Sequence, residues 1–335
     1  MRRRVLFILP LILTFSVGVI RAQDPIKVVA TTTILADVAQ NVAGDAFTVA
    51  ALIPADTDPH AFEPSTSDAV LVAQADLLLS VGAGYEAFLA DLLTTVGENI
   101  PVVVASNGVE ILPYGEHEHA DESATPEADH VDEHLGALGL DLECAAHEHE
   151  EEAGAEDDHD HGACDPHVWH DVANAVIWTN NLADAFAEFD PANAATYRAN
   201  ADAYIAELDA LQVEIQTAVS TIPEDQRVLI TNHEFMGYYA HAYGFEVAAT
   251  VLPGSATGAE VAPQELAALI ELVRTEGVPA IFAENTTTPQ IAELIAQEAG
   301  VTVVTTLYSD ALGADAPTYI DMMRANTQTI VDALS

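Results

Sequence analysis

Short β-branched runs alternate with longer segments of helical periodicity from residue 27 to the end of the chain. Runs typical of strands lie at 27–31, 47–53, 77–81 and 101–104, and again at 228–231, 245–250, 280–283 and 301–305. Segments in which apolar residues recur every three or four positions predict helices at 34–42, 67–75, 85–95, 171–189, 234–243, 263–276, 289–299 and 317–334. Such alternation is typical of parallel β-α-β units. We therefore predict an α/β fold of two lobes, each a four-stranded, mainly parallel sheet flanked by helices.

One apolar stripe near the middle of the chain is unusually long for a globular helix. Its members, spaced three and four residues apart, are Tyr197, Ala201, Tyr204, Leu208, Leu211, Ile215 and Val219. Asp190 is a good N-cap and Pro191 a good first helical residue, so we expect the helix to begin there. A helix of this length is a candidate backbone between two lobes. The predicted domains are an N-terminal lobe at 23–189, a linking helix at 190–221 and a C-terminal lobe at 222–335.

The first 22 residues are typical of a signal peptide and lie outside the predicted fold. Three arginines at positions 2–4 precede an apolar run at 5–20, and we expect cleavage after Ala22. The run is shorter than the ~20 apolar residues that span a membrane, and Pro10 interrupts it; an uncleaved anchor is the alternative. No cysteine lies near the cleavage point, so we expect no lipid anchor. The mature chain should be soluble and periplasmic, or otherwise extracytoplasmic.

The charge of the chain is strongly negative. It holds 54 acidic residues against nine basic ones, with a formal net charge of −45 at pH 7. Such a surface repels nucleic acid and anionic lipid and attracts cations; the alternative explanation is an adaptation to solubility or salt. The chain has one lysine and lacks the Gly-x-x-x-x-Gly-Lys-[Ser/Thr] motif. We therefore predict binding of neither nucleic acid nor nucleotide.

The segment 115–162 interrupts the regular pattern with eight histidines and eighteen acidic residues, and it has no lysine or arginine. Because it can bury little apolar surface, we predict a mobile loop. Three His-x-His pairs in it are candidate weak metal ligands: His117, His119, His147, His149, His159 and His161. We interpret the segment as a metal-collecting loop, and a solvated acidic linker is the alternative.

Two cysteines, Cys144 and Cys164, lie in or beside the same segment. In an oxidising compartment they are candidates for a disulfide. The alternative is a pair of thiolates that assist metal capture.

The five histidines outside the loop are His60, His167, His170, His233 and His241. In open α/β sheets, ligands bind beyond the carboxyl ends of the strands. His60, His233 and Asp310 each follow a predicted strand, and His167 lies just before a predicted helix. Each lobe thus supplies two candidate ligands, which a cleft between the lobes would bring together. A lone histidine in a loop is more often an ordinary surface residue, so this placement does not by itself establish a site.

Five short motifs follow one another along the chain, namely Asp58-Pro59-His60-x-Phe62-Glu63-Pro64-Ser65, Asp165-Pro166-His167-x-Trp169, Asn232-His233-x-Phe235-x-x-Tyr238, Phe282-x-Glu284 and Tyr319-x-x-Met322-Met323-x-x-Asn326. In this order and spacing, the motifs resemble those of solute-binding proteins of metal-importing ABC transporters. The resemblance extends from about Val28 to Leu334. It implies two α/β lobes joined by one long helix, a metal ion bound between them, and a membrane permease as partner.

The resemblance also implies roles for single residues. His60 and His167 match metal ligands of the first lobe. His233 matches a position that is histidine in zinc-binding members and often glutamate in manganese-binding ones. Asp310 matches the acidic residue that completes the site or lies close to it. The histidine-rich insertion is similar to that of zinc-type members.

Three further residues are candidates beside the four ligands. Glu63 and Glu284 are candidates for orienting the metal-bound imidazoles, as carboxylates commonly do, or else for exposed or capping roles. His170 stands where the family more often has an apolar residue, and it is a candidate supporting residue or an extra ligand. We predict a structural or exposed role for His241.

Three histidines and one aspartate suit zinc, whereas manganese favours sites richer in oxygen. Copper and nickel also accept imidazole, so the ligand set does not exclude them.

From the resemblance, the predicted location and the ligand set together, we predict a monomeric protein that is not an enzyme. It captures zinc outside the cytoplasmic membrane and delivers it to an ABC-type importer. The alternatives are a zinc-dependent hydrolase that uses the same histidines, and a metal buffer or adhesin-like surface protein.

Overall fold

The computed structural model describes residues 26–55, 57–97, 100–114, 164–252, 257, 261–287 and 289–335. The strands are β1 Val28–Ala30, β2 Val49–Ala51, β3 Leu77–Ser80, β4 Val102–Val104, β5 Val228–Thr231, β6 Glu246–Thr250, β7 Ala280–Glu284 and β8 Thr302–Leu307. The α-helices are α1 Thr33–Ala43, α2 Thr66–Ala73, α3 Leu89–Val96, α4 Val172–Phe189, α5 Ala194–Val219, α6 Gly237–Tyr243, α7 Pro263–Glu276, α8 Gln290–Ala299 and α9 Tyr319–Leu334. Single 3₁₀ turns lie at Val168–His170 and Glu224–Gln226.

The strands form two four-stranded sheets of the same topology. The order is β2-β1-β3-β4 in the first sheet and β6-β5-β7-β8 in the second, and neighbouring strands are parallel in both. Parallel strands need crossover connections, which the helices between them supply. The predicted α/β fold with two four-stranded lobes is confirmed. Loops that leave the carboxyl ends of the strands therefore meet between the two sheets.

The buried apolar residues form one central cluster and two outer ones. The central cluster joins the lobes, since it contains Ile34 of α1, Trp178 of α4, Leu208 of α5 and Met322 of α9. One outer cluster covers the far face of the first sheet, around Leu78, and the other covers the far face of the second sheet. The lobes are thus held together by a shared core as well as by a covalent linker.

Helix α5 spans 26 residues, and all seven residues of the predicted stripe are buried. At ~1.5 Å per residue the helix is about 39 Å long. The predicted start at Asp190 and Pro191 is wrong, because the helix begins at Ala194. The carboxylate of Asp190 accepts hydrogen bonds from Asn193 Nδ2 (2.7 Å) and Tyr197 Oη (2.8 Å), which stabilises a turn before the helix.

The helix predicted from residue 85 begins only at Leu89. Gly82, Ala83 and Gly84 have positive φ angles of 82°, 57° and 72°, so the backbone makes a tight left-handed loop after β3. The buried carboxylate of Glu86 accepts hydrogen bonds from the backbone N–H groups of Val81 (2.6 Å) and Gly82 (3.0 Å). These bonds fix the loop that follows β3.

Among the described helices, none is both long and apolar enough to cross a bilayer.

Candidate metal centre

Three imidazole rings and one carboxylate converge between the lobes. His167 Nε2 lies 3.1 Å from His60 Nε2, 3.2 Å from His233 Nε2 and 3.3 Å from Asp310 Oδ1. The carboxylate oxygens of Asp310 lie 3.5 Å from His60 Nε2 and 3.7 Å from His233 Nε2. The four residues predicted as ligands thus present one nitrogen or oxygen each to a common point.

The centre is buried. The side chains of His167, His233 and Asp310 are 0% exposed, and that of His60 is 7% exposed. His60 is therefore the candidate ligand nearest to solvent. Tyr85 and Phe235 line the histidine rings in edge-on or tilted contacts.

His60 lies in the loop after β2. Its backbone N–H donates to Asp58 Oδ1 at 2.9 Å. The other oxygen of Asp58 accepts a hydrogen bond of 2.6 Å from the hydroxyl of Thr257, which belongs to the second lobe. The loop that carries the outermost ligand is therefore tied to both lobes.

His167 is held in the same way by Asp165, a residue that our sequence reasoning missed. Asp165 Oδ1 accepts from the backbone N–H of His167 at 2.9 Å and lies 2.7 Å from its ring Nδ1. The other oxygen of Asp165 lies against Gly237 so closely that a Cβ atom would not fit there. The shared Asp-Pro-His tripeptide of Asp58 and Asp165 is the sequence signal that points to both.

His233 directly follows β5 and faces the end of the neighbouring strand β7. Glu284 Oε2 lies 2.7 Å from His233 Nδ1, and Glu284 Oε1 accepts from the backbone N–H of His233 at 3.1 Å. Thr231 Oγ1 donates to the carbonyl of His233 at 2.7 Å. Glu284 thus contacts both the ring and the backbone of His233, and its predicted role in orienting a metal-bound imidazole stays a prediction.

Asp310 follows β8 and is held by hydroxyl groups. Ser309 Oγ donates to Asp310 Oδ2 at 2.6 Å, and Tyr85 Oη donates to Asp310 Oδ1 at 3.3 Å. Sequence reasoning missed Tyr85, which lies 225 residues from Asp310 in the chain. No local pattern indicates this pair, because only the packing of the two lobes brings it together.

The electrostatics of the centre favour protonated His167 and His233, neutral His60 and ionised Asp310 when no metal is bound. Burial lowers the pKa of His167, but its bonds to Asp165 and Asp310 outweigh burial and raise the pKa to about 10. Burial likewise opposes charge on His233, and Glu284 and Asp310 raise its pKa above the ordinary value. Burial lowers the pKa of His60. The histidines hold the pKa of Asp310 well below its usual range despite burial. A divalent cation would replace protons at this centre.

Two other candidates lie differently from the four ligands. Glu63 is exposed to solvent. The carboxylates that contact the histidine rings are instead those of Asp165 and Glu284. His170 is fully buried, but its Nε2 atom lies 3.1 Å from the carbonyl oxygen of Ser309. His241 is exposed, as predicted.

The loop candidates lie outside the described residues, namely His117, His119, His147, His149, His159, His161 and Cys144. Cys164 is the first residue described after the loop, and it does not carry a free thiol. Its pairing with Cys144 and the metal-collecting role of the loop stay predictions.

Comparison with known proteins identifies the family. A family model described as the periplasmic component A of the zinc-uptake complex matches residues 28–333. The manganese-binding lipoprotein MntA of Halalkalibacterium halodurans is 30% identical over 315 residues, which cover 93% of this chain and 89% of that protein. The iron-binding protein YfeA of Yersinia pestis is 29% identical over 308 residues, which cover 91% of this chain and 85% of that protein.

Solved structures with the same two-lobe fold include metal-binding proteins of two bacteria. The periplasmic zinc-binding protein TroA of Treponema pallidum has a TM-score of 0.71 at 23% identity, covering 92% of this chain and 98% of that one. A manganese-bound periplasmic metal-binding protein of Candidatus Liberibacter asiaticus has a TM-score of 0.71 at 23% identity, covering 92% of this chain and 100% of that one. On the evidence of the family match, this chain belongs to the extracytoplasmic metal-binding proteins of ABC transporters, which are solute-binding proteins and not enzymes.

Proposed function

We propose that this protein captures zinc, in preference to manganese or iron, and delivers it to the membrane permease of an ABC importer. One observation carries the choice of zinc. Five of the six pairs among the three imidazoles and the carboxylate have atoms 3.1–3.7 Å apart, and all four ligand atoms lie within 4.8 Å of one another. Tetrahedral zinc with bonds of ~2.0–2.1 Å would place its ligands about 3.3 Å apart.

The identity of the ligands supports the same choice. Zinc accepts imidazole readily, whereas manganese favours carboxylate, carbonyl and water oxygens. Three of the four side chains here offer nitrogen. Relatives named for manganese and iron are 30% and 29% identical to this chain, so we base the preference on the ligands and their surroundings and not on the family. His233, supported by Glu284, is the residue on which we base the distinction.

Competition among metals tests this proposal. The mature protein is stripped of metal and equilibrated with zinc, manganese, copper and nickel in turn against chelators of known strength, followed by elemental analysis. We expect one tightly bound zinc per chain and much weaker manganese. Equal or tighter binding of manganese would overturn the choice of metal without affecting the assignment to the family.

Delivery to a permease is tested in cells. We expect loss of growth under chelation when either this protein or the permease encoded with it is deleted, and recovery on addition of zinc. A deletion that impairs growth only without manganese would contradict the proposed cargo. We further propose that the protein acts as a monomer, which size-exclusion chromatography with light scattering would measure.

We also propose that the protein is released after cleavage behind Ala22, without a lipid anchor. Several relatives are named lipoproteins, but the two cysteines of this chain are Cys144 and Cys164, far from the cleavage point. Mass spectrometry of the protein from its native cells would measure the first residue and any lipid. A lipid-modified mature chain would contradict this proposal.

A further inference from the structure

The carbonyl oxygen of Ser309 accepts two hydrogen bonds from the first lobe. Trp169 Nε1 donates to it at 2.9 Å, and His170 Nε2 lies 3.1 Å from it. Trp169 and His170 are adjacent in the 3₁₀ turn that follows His167, whereas Ser309 belongs to the second lobe. Both lone pairs of one carbonyl are therefore used to join the two lobes beside the metal centre.

The protonation of His170 follows from this contact. A carbonyl oxygen can only accept, so His170 Nε2 must carry the hydrogen. His170 Nδ1 is buried and has no hydrogen-bond partner among the described residues. A second hydrogen at Nδ1 would be left buried without an acceptor, which is costly. His170 is therefore a neutral donor, and burial, with the nearby His167, lowers its pKa to about 3.

Ser309 links this contact to the metal centre. Its hydroxyl donates to Asp310 Oδ2 at 2.6 Å and lies 3.1 Å from the hydroxyl of Thr286. Asp310 is the next residue in the chain, so the position of the Ser309 carbonyl restricts the backbone that carries the carboxylate.

We propose that His170 is a positioning residue for Asp310, and not a metal ligand. Together with Trp169 it holds the Ser309 carbonyl, so that the Asp310 carboxylate is in place before the ion arrives. This role rests on the proposed function, because it concerns the same metal centre. A preorganised ligand does not lose conformational freedom on binding, so the bound ion is held longer.

The imidazole ring of His170 packs between aromatic rings, so its shape as well as its hydrogen bond matters at this position. His170 lies against Phe235, with 5.3 Å between ring centroids, and against Trp169, with 5.7 Å. A leucine would fill similar space but could not donate a hydrogen bond. A glutamine could place its Nε2 amide near the position of the imidazole Nε2 and donate in its stead.

Three variants test the proposal: His170→Leu, His170→Gln and, as a matched control at an exposed site, His241→Leu. The readouts are the rate of zinc release into excess chelator, the absorption spectrum of the cobalt-substituted protein, and the thermal unfolding of the metal-free protein. We expect His170→Leu to bind one metal per chain and to release it about fivefold to tenfold faster, the size of effect that loss of one hydrogen bond produces. His170→Gln should stay within about twofold of the parent in release rate, since it keeps the donor.

Release from His170→Leu at the parental rate, or equal acceleration in both His170 variants, would overturn the positioning role. A cobalt spectrum that loses intensity equally in both variants would show that His170 is a ligand and would also overturn it. If His170→Leu unfolds too early to be measured, His170→Gln still decides, because a ligand role predicts that glutamine does not restore binding. Weak zinc binding by the parent itself would contradict the proposed function, which separates that failure from failure of the positioning role.

Discussion

Three of the four candidate ligands, His167, His233 and Asp310, are held by neighbouring side chains. Asp165 and Glu284 contact the Nδ1 atoms of His167 and His233, and Tyr85 and Ser309 donate to Asp310. A carboxylate on the far side of a metal-bound imidazole fixes the tautomer and makes the ligand nitrogen more basic. We therefore expect the supporting residues to contribute to metal affinity through the ligands that they contact.

Replacement of the carboxylate behind His233 tests this contribution. We expect Glu284→Gln to weaken zinc binding roughly 10- to 100-fold, the range typical for such partners, because the amide turns an N–H group or a weaker acceptor toward Nδ1. The affinity is measured by competition with a chelator. Glu271→Gln is the matched control, since the Glu271 side chain is 74% exposed. Equal affinity in the two variants would contradict a supporting role for Glu284.

The raised pKa of His167 predicts the pH dependence of binding. Only neutral imidazole coordinates a metal, and the pKa of His167 is about 10 in the metal-free protein, because Asp165 and Asp310 outweigh the burial that lowers it. Zinc must therefore displace this proton, and the apparent affinity should fall by at least about tenfold for each unit of pH lost between pH 9 and pH 6; the raised pKa of His233 makes the decline steeper. Chelator competition across this range is the measurement. An affinity independent of pH would contradict the site.

The variant Asp165→Asn tests whether Asp165 causes the raised pKa of His167. Removal of one of the two carboxylates lowers the pKa of His167, so the decline of affinity with pH should be shallower. Asp184→Asn, at a side chain 76% exposed, should keep the parental slope. The stability of the metal-free protein should change with pH in the opposite direction and fall as the pH rises. The contribution of protonated His167 is complete below the ordinary pKa of 6.5 and is lost as the pH rises through about 10.

At the scale of elements, short β-branched runs located the eight strands, which are largely buried on both faces, and the three- and four-residue spacing of apolar residues located the nine α-helices described here. The ends were less certain wherever a side chain competes with the backbone. Asp190 and Asn193 stabilise a turn where a helix start was predicted, and Glu86 holds a left-handed loop before α3. Strand ends and family motifs pointed to the four residues that the structure brings together, and their role as metal ligands stays a prediction. Tyr85 was not, because its partner is set by tertiary packing alone.

Helices α1 and α9 come from different lobes and meet at Asp37. Its Oδ2 atom accepts a hydrogen bond of 2.9 Å from the backbone N–H of Tyr319, the first residue of α9. Burial raises the pKa of Asp37 to about 6 despite this bond, and the nearby Asp321 adds to the shift. Because the folded pKa is raised, the ionised form costs stability, and this cost appears as the pH rises from about 4 to 6.

Asp37→Asn should remove this cost while it keeps an oxygen that accepts from Tyr319. A shift from 3.8 to about 6 corresponds to about 3 kcal/mol. We expect the variant to gain roughly 2–3 kcal/mol relative to the parent at pH 7 and nothing at pH 3.5. Urea unfolding of the metal-free proteins at both pH values measures the difference. A gain of the same size at both would show that ionisation of Asp37 is not its source.

At the scale of the whole molecule, the two lobes share the central apolar cluster, and the metal centre lies where their strand-exit loops meet. The ends of the acidic segment are also joined within this framework. Pro113 and Cys164 form an antiparallel bridge, and the N–H of Asp165 donates to the carbonyl of Leu112 at 2.8 Å. Asp165, which contacts His167, is thus held by a backbone hydrogen bond to a residue on the other side of the segment.

Replacement of residues 116–162 by two glycines should therefore leave the tight site intact. All four ligands and both supporting carboxylates lie outside the segment, and its flanks are already adjacent through the bridge between Pro113 and Cys164. We expect one tight zinc with affinity within about threefold of the parent, a difference below 1 kcal/mol, and the loss of the weaker sites that we assign to the loop histidines.

Titration calorimetry with zinc counts both classes of site in this shortened protein. Because the deletion removes Cys144, the predicted disulfide partner of Cys164, the shortened chain should carry Cys164→Ser, and the full-length chain with the same substitution is its control. If tight binding disappears only in the shortened protein, the main site includes residues of the loop, and the assignment of His60, His167, His233 and Asp310 as a complete ligand set is wrong. If tight binding persists while the weak sites also persist, the loop is an acidic linker, and metals collect elsewhere on the negatively charged surface.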